Sequence, residues 1–123
     1  MARPARSLAE RQAAEKRGHR AEIFAACALM LKGYRPLGRR FKSPMGEIDL
    51  IMGKRDLVVF VEVKARATHE AALNSITATA KKRIEKAARH WISTQKDGSS
   101  LSWRFDVVTV VPGGWPRHHI NAW

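Results

Sequence analysis

Residues 57–65 read Leu-Val-Val-Phe-Val-Glu-Val-Lys-Ala, and no other segment restricts the fold as much. The run is almost continuously apolar, rich in valine and phenylalanine, and bounded by turn-forming residues. That composition belongs to a strand covered on both faces. Side chains alternate along a strand, so Val59, Val61 and Val63 share one face. Val58, Phe60, Glu62 and Lys64 share the other, where two charges continue an apolar row. Charges in that position carry a large desolvation cost unless they are paired or bound to a metal.

The elements around this strand suggest an α/β fold, a mixed sheet flanked by helices. Ser7 followed by Glu10 has capping-box spacing for a helix start, and Gly33 is suited to end that helix. Gly18 between them weakens the middle and marks a kink or a second start. Residues 34–41 form an edge-strand candidate because Pro36 removes a ladder donor. Residues 47–52 read as a strand, joined to 57–65 by a short loop at 53–56. Ile76, Ala80, Ile84, Ala87, Ala88 and Trp91 recur at helical spacing. Residues 102–111 form a further strand, Pro112-Gly113-Gly114 a turn, and residues 117–123 a last short strand. Neither a repeat nor a second domain is evident, so 1–123 reads as one domain with a flexible basic arm at 1–6.

Lys and Arg number 23 against 11 acids, for a net charge of +12. A chain so charged attracts polyanions, nucleic acid first and anionic membrane second. The single cysteine, Cys27, excludes an intrachain disulfide and, within an apolar run, reads as a buried thiol. The N-terminus lacks the apolar stretch of a secretory signal, and residues 23–31 are too few to span a bilayer. These features point to a soluble, cytoplasmic protein without a membrane partner.

If the loop at 53–56 closes regularly, Met52 faces Leu57, Asp49 faces Phe60 and Glu47 faces Glu62. Asp49, Glu62 and Lys64 then share one face, with Asp49 diagonal to Glu62 at roughly 7–8 Å. Two carboxylates at that separation can close onto one cation. A hard divalent ion is satisfied by a few carboxylates plus water and substrate phosphate. Lys64 lies about 6.6 Å beyond Glu62 along the strand and can orient a water or neutralise charge. An ion pair between Glu62 and Lys64 at an exposed strand end accounts for the same residues. Glu22 shares a helix face with Ala25, Ala26 and Leu29, which turns it towards the core side. A boundary position with water access is its simpler account.

The strings GHRAE at 18–22, GEIDLI at 46–51, VFVEVKAR at 59–66, KKRI at 81–84, RFDVVTV at 104–110 and HINAW at 119–123 together resemble the YraN family. That family is similar to restriction-endonuclease-like proteins of the PD-(D/E)xK type, Holliday junction resolvases among them. The resemblance implies a Mg²⁺-dependent (or Mn²⁺-dependent) nuclease centre. In it, Asp49 and Glu62 bind the ion with the backbone carbonyl of Val63, Glu22 completes the acidic cluster, and Lys64 assists the attacking water. It also implies a nucleic-acid substrate, DNA ahead of RNA, and a homodimer by analogy. The segment 68–80 lacks the Gly- and Pro-containing pattern of related loops.

Arg39, Arg40 and Lys42, just before the acidic strand, are candidate phosphate contacts, as are Lys81, Lys82 and Arg83. Without a pattern of stacking aromatics, backbone or shape recognition is favoured over base readout. Adjacent His118 and His119 point to opposite faces of a strand and cannot chelate together; phosphate contact or plain surface suits them better. Asp106, interrupting an apolar strand, should pair with a neighbouring Arg or Lys. The expected function is a metal-dependent endonuclease. A non-catalytic nucleic-acid-binding module on the same fold is the alternative.

Overall fold

The Ser7 hydroxyl accepts the Glu10 backbone N–H at 3.1 Å, capping helix α1, Leu8–Leu31. This is the first feature of a computed structural model that describes residues 7–123. The basic arm expected at 1–6 lies outside the described residues. The helix runs through Gly18 unbroken, so neither a kink nor a second start is present. It ends in a Schellman turn: Gly33, at φ +95°, donates to Met30 O, and Tyr34 donates to Leu29 O.

Strands β1 (Arg35–Ser43), β2 (Gly46–Lys54) and β3 (Leu57–Ala65) form an antiparallel meander. Two helices follow, α2 (His69–Asn74) and α3 (Ala78–Ser93), then β4 (Ser102–Val110) and β5 (Arg117–His119). The five strands lie in sequence order, with β3 and β4 parallel and β1 on an edge. This is the α/β mixed sheet flanked by helices that the sequence implied, compatible with a restriction-endonuclease-like fold.

Both faces of the sheet are covered. On one, Ala21, Ala25 and Leu29 of α1 pack on Leu50, Met52, Val59, Val61, Val63 and Val108. On the other, Ile84, Ala87 and Ala88 of α3 pack on Ile51, Val58 and Phe60. The alternation read along 57–65 therefore holds.

Five expectations are corrected. The β2–β3 turn is two residues, Arg55 and Asp56, not four, because Arg55 takes φ +57° and lets the ladder close at Lys54↔Leu57. The register moves by two residues, so Glu47 does not face Glu62. Glu47 is exposed and pairs with Lys42 on β1. The helix expected from Ile76 begins at Ala78, capped by Thr77, and Ile76 is buried ahead of it. Helix α2, capped by Thr68, fills the span that the sequence left without an element. Strand β5 stops at His119, after which Trp123 stacks on Phe105 at 5.1 Å. Cys27 is exposed, since the apolar part of α1 extends beyond the face that meets the sheet.

Candidate functional site

Backbone pairing between β2 and β3 runs from Lys54↔Leu57 to Leu50↔Val61 and then stops, while β2 stays with β1 as far as Gly46. Where the strands part, the Asp49 side chain replaces the missing rung: Val63 N–H donates to Asp49 Oδ2 at 2.8 Å. Ile48 packs in the α3-side cluster and Leu50 in the α1-side cluster, so the alternation of β2 breaks across Asp49. A two-residue register shift preserves side-chain parity, so Asp49 still meets Glu62, just beyond the last paired rung at Leu50↔Val61. The N–H and C=O of one strand residue point to the same edge. The Val63 carbonyl therefore also faces the gap that β2 leaves.

The three acids disturb one another. Burial pushes the Glu62 carboxyl up to about 9, reinforced by its hydrogen bond to Asp49 and by the Asp49 charge; Lys64 pulls the other way. Burial also raises Glu22, followed by repulsion from Asp49, while Arg40 and Arg39 oppose the rise. Glu22 is 9% exposed, and its Oε1 is buried without a hydrogen-bond partner among the described residues. The Nε of Arg40 lies 3.7 Å from that oxygen, an ion pair too long for a hydrogen bond. Arg40 sits at φ +55° and also contacts His19.

Glu22, Asp49 and Lys64 line one open cleft of about 850 Å³ between α1 and the strand ends. Arg17, Arg20 and Arg66 line it too, so cations outnumber acids on its wall. Sequence reasoning passed over these three arginines. Arg17, Arg20 and Phe24 recur at the three- and four-residue spacing of one helix face, and that signal was available.

The other basic candidates are dispersed. Arg39 is exposed and acts on Glu22 through its charge. Lys42 is exposed on β1, close to where the Gly46 turn meets α3. A Cβ at Gly46 would come within 3.1 Å of Arg83, which joins that hairpin tip to the start of α3. Lys82 and Arg83 are exposed there, and Lys81 lies over the Trp123 ring at 5.8 Å.

Asp106 meets the expectation of a basic partner and exceeds it. Arg104 grips both its oxygens at 2.8 and 2.7 Å, His118 Nε2 donates at 2.6 Å, and Asn121 N–H donates at 2.9 Å. His118 is thus largely buried against Asp106, not the surface or phosphate contact expected, while His119 turns to the opposite face and bonds Thr109.

A family model described as uncharacterised protein family UPF0102 matches residues 21–110, a span that includes Glu22, Asp49, Glu62 and Lys64. The chain belongs to the UPF0102 family. This is the YraN family of the sequence resemblance. A UPF0102 protein of Mesorhizobium japonicum is 55% identical over 95% of this chain and 94% of its own length. One from Chelativorans sp. is 52% identical over 92% and 91%, and one from Agrobacterium fabrum 46% over 92% and 93%. These UPF0102 names carry no activity. No helix among the described residues is long and apolar enough to cross a membrane.

Proposed function

We propose that this UPF0102 protein is a nucleic-acid-binding, Mg²⁺-dependent endonuclease that hydrolyses phosphodiester bonds, with DNA as the preferred substrate. The observation that carries the reading is the junction at Asp49. There a strand pair opens, one carboxylate is fixed by Val63 N–H, a second is held beside it, and Lys64 faces the same cleft as Glu22.

The donor set suits a small divalent cation. Asp49 and Glu62 supply carboxylate oxygens, the Val63 carbonyl faces the gap, and the unpartnered Glu22 Oε1 is a buried acceptor without a donor. Mg²⁺ commonly uses only one or two carboxylates and keeps several waters. A bound divalent cation would neutralise charge on the phosphate and make a water more acidic. The chain's own groups do the rest. Val63 N–H fixes the Asp49 carboxylate in place. Glu62 gives up its proton for a cation. Lys64 orients the attacking water and offsets charge developing on the phosphate. Arg17, Arg20 and Arg66 hold the flanking backbone, with Arg39 and Lys42 extending the basic surface, and Lys82 and Arg83 forming a second patch.

Incubation with Mg²⁺ or Mn²⁺ and labelled DNAs and RNAs tests this. Cleavage should occur in wild type, disappear in Glu62→Gln and Asp49→Asn, and fall by about 10²-fold or more in Lys64→Ala. A second reading, a non-catalytic binding module on the same fold, draws on a different fact. Among the described residues no three His, Cys, Asp or Glu side chains form a ready metal cluster. Salt-sensitive binding without cleavage, unchanged in Glu62→Gln, would select it.

A further inference from the structure

A second concavity lies on the other side of Phe24. Phe24 lines the Asp49–Lys64 cleft, and its ring meets Trp115 edge-on at 5.4 Å between centroids. Trp115 in turn lines a pocket of about 390 Å³ with Lys32, Arg117 and His118 over an apolar floor that includes Val108. Trp115 is 62% exposed, the most exposed of the chain's four tryptophans. Tryptophan is highly buried on average, so this exposure stands out.

One of the two cations at this pocket, Lys32, is held in position. Lys32 Nζ lies 2.6 Å from His118 Nδ1. An ammonium only donates, so Nδ1 accepts, and Nε2 carries the hydrogen given to Asp106 at 2.6 Å. Asp106 is itself anchored by Arg104, so a chain of hydrogen bonds from the core fixes the Lys32 ammonium at the rim. Arg117 is exposed and makes no side-chain hydrogen bond or ion pair among the described residues. No Asp or Glu lines the pocket. Its contents are one largely exposed indole, two cations, and a volume within the range of about 300–1,000 Å³ that small-ligand sites occupy.

We propose that this pocket seats an unpaired nucleotide. The base stacks on Trp115, and its phosphate lies between Lys32 and Arg117. A strand leaving the Asp49–Lys64 cleft reaches the pocket across Phe24. In a duplex the base faces are already stacked on one another, so only an unstacked base can meet the indole. The substrate is therefore nucleic acid with a single-stranded segment beside the cleft. This rests on the nucleic-acid reading above but requires no cleavage.

The test measures affinity by fluorescence anisotropy in EDTA, using labelled oligothymidylate, oligouridylate and a blunt DNA duplex of equal length. Trp115→Ala should weaken oligothymidylate binding about tenfold or more and leave the duplex nearly unchanged, and Trp115→Phe should restore most of the loss. Arg117→Ala, a variant that leaves the indole in place, should lower the salt slope on the single strand by about one unit. A matching loss on oligouridylate would assign the seat to both sugars, and a loss confined to oligothymidylate to DNA alone. The proposal is overturned if Trp115→Ala weakens strand and duplex equally or affects neither. It is equally overturned if Trp115→Ala instead abolishes a self-association seen by sedimentation. Strand discrimination without cleavage in Mn²⁺ would remove the nuclease reading and keep the seat. Cleavage with an inert Trp115 would do the reverse.

Discussion

Glu62 on β3 and Asp106 on β4 lie on neighbouring strands, one step apart in register and on opposite faces of the sheet. Asp106 is fully buried and Glu62 partly so, yet their surroundings are opposite. Burial alone would raise Asp106, but hydrogen bonds from His118, Arg104 and the Asn121 N–H outweigh it and bring its pKa to about 2. Glu62 has another carboxylate as its hydrogen-bond partner, and its pKa goes to about 9. One centre is complete as folded and ties β5 and the C-terminal residues to β4. In the other the carboxyl groups face one another, and only Lys64 pulls Glu62 back down. Three acids left so poorly neutralised in a fold with 23 basic residues are what the cation site proposed above would require.

The sharpest way to break the comparison is to delete each carboxylate. Asp106→Ala strands the Arg104 guanidinium and the His118 imidazole inside the structure, and stability should fall by about 3–5 kcal/mol in urea denaturation. A loss below about 1 kcal/mol would mean that the Asp106 centre is no more structural than the Glu62 one.

Acid denaturation gives the next largest effect and has a defined sign. The Asp106 pKa is lowered in the folded state, from 3.8 to about 2. The unfolded chain therefore binds the proton first. The stabilisation is present in full above the unfolded value and is lost as pH falls through the folded one, between about pH 4 and 2. It amounts to about 2 kcal/mol. Wild type should show this acid-limb loss and Asp106→Asn should not, as read from thermal midpoints across that range.

Much of this contrast is legible in the sequence, and the reason is parity. The sequence misjudges the length of the β2–β3 turn, yet Asp49, Glu62 and Lys64 still fall together, because a slip of two residues leaves every side chain on its face. Asp106 is equally visible as an acid in an apolar strand. What escapes is whatever depends on distant partners. Three hydrogen-bonding groups converge on Asp106 from residues 104, 118 and 121, and no local pattern foretells that His118 points inward. Arg17 and Arg20 become cleft residues only once α1 is laid against the strand ends. Helix α2 is six residues long, too short for a periodic signal.

Glu62→Gln should act in the opposite direction to Asp106→Ala. The amide stays neutral without taking up a proton on folding and can itself donate to Asp49. Stability in chelator at pH 8 should therefore rise, on the order of 1 kcal/mol. Adding Mn²⁺ should raise the thermal midpoint of wild type and leave that of Glu62→Gln unchanged, since binding only to the folded form stabilises it by mass action. If the variant melts below wild type in chelator, Glu62 is a satisfied structural acid and the contrast with Asp106 fails.

The smallest expected effect tests whether Arg40 is the missing counter-charge. Its Nε stands 3.7 Å from Glu22 Oε1, with the Arg40 side chain 39% exposed and the carboxylate nearly buried. Water screens a pair with one open end, so Arg40→Ala should cost less than about 1 kcal/mol of stability. The same change removes a cation that competes for the acidic cluster. It should strengthen Mn²⁺ binding severalfold, as followed by the metal-induced shift in melting temperature, and that gain should be absent when Glu22→Gln is added. If Arg40→Ala instead weakens Mn²⁺ binding, the arginine positions the Glu22 carboxylate and does not rival the cation. The guanidinium would then belong to the finished part of the molecule, as Arg104 does beside Asp106.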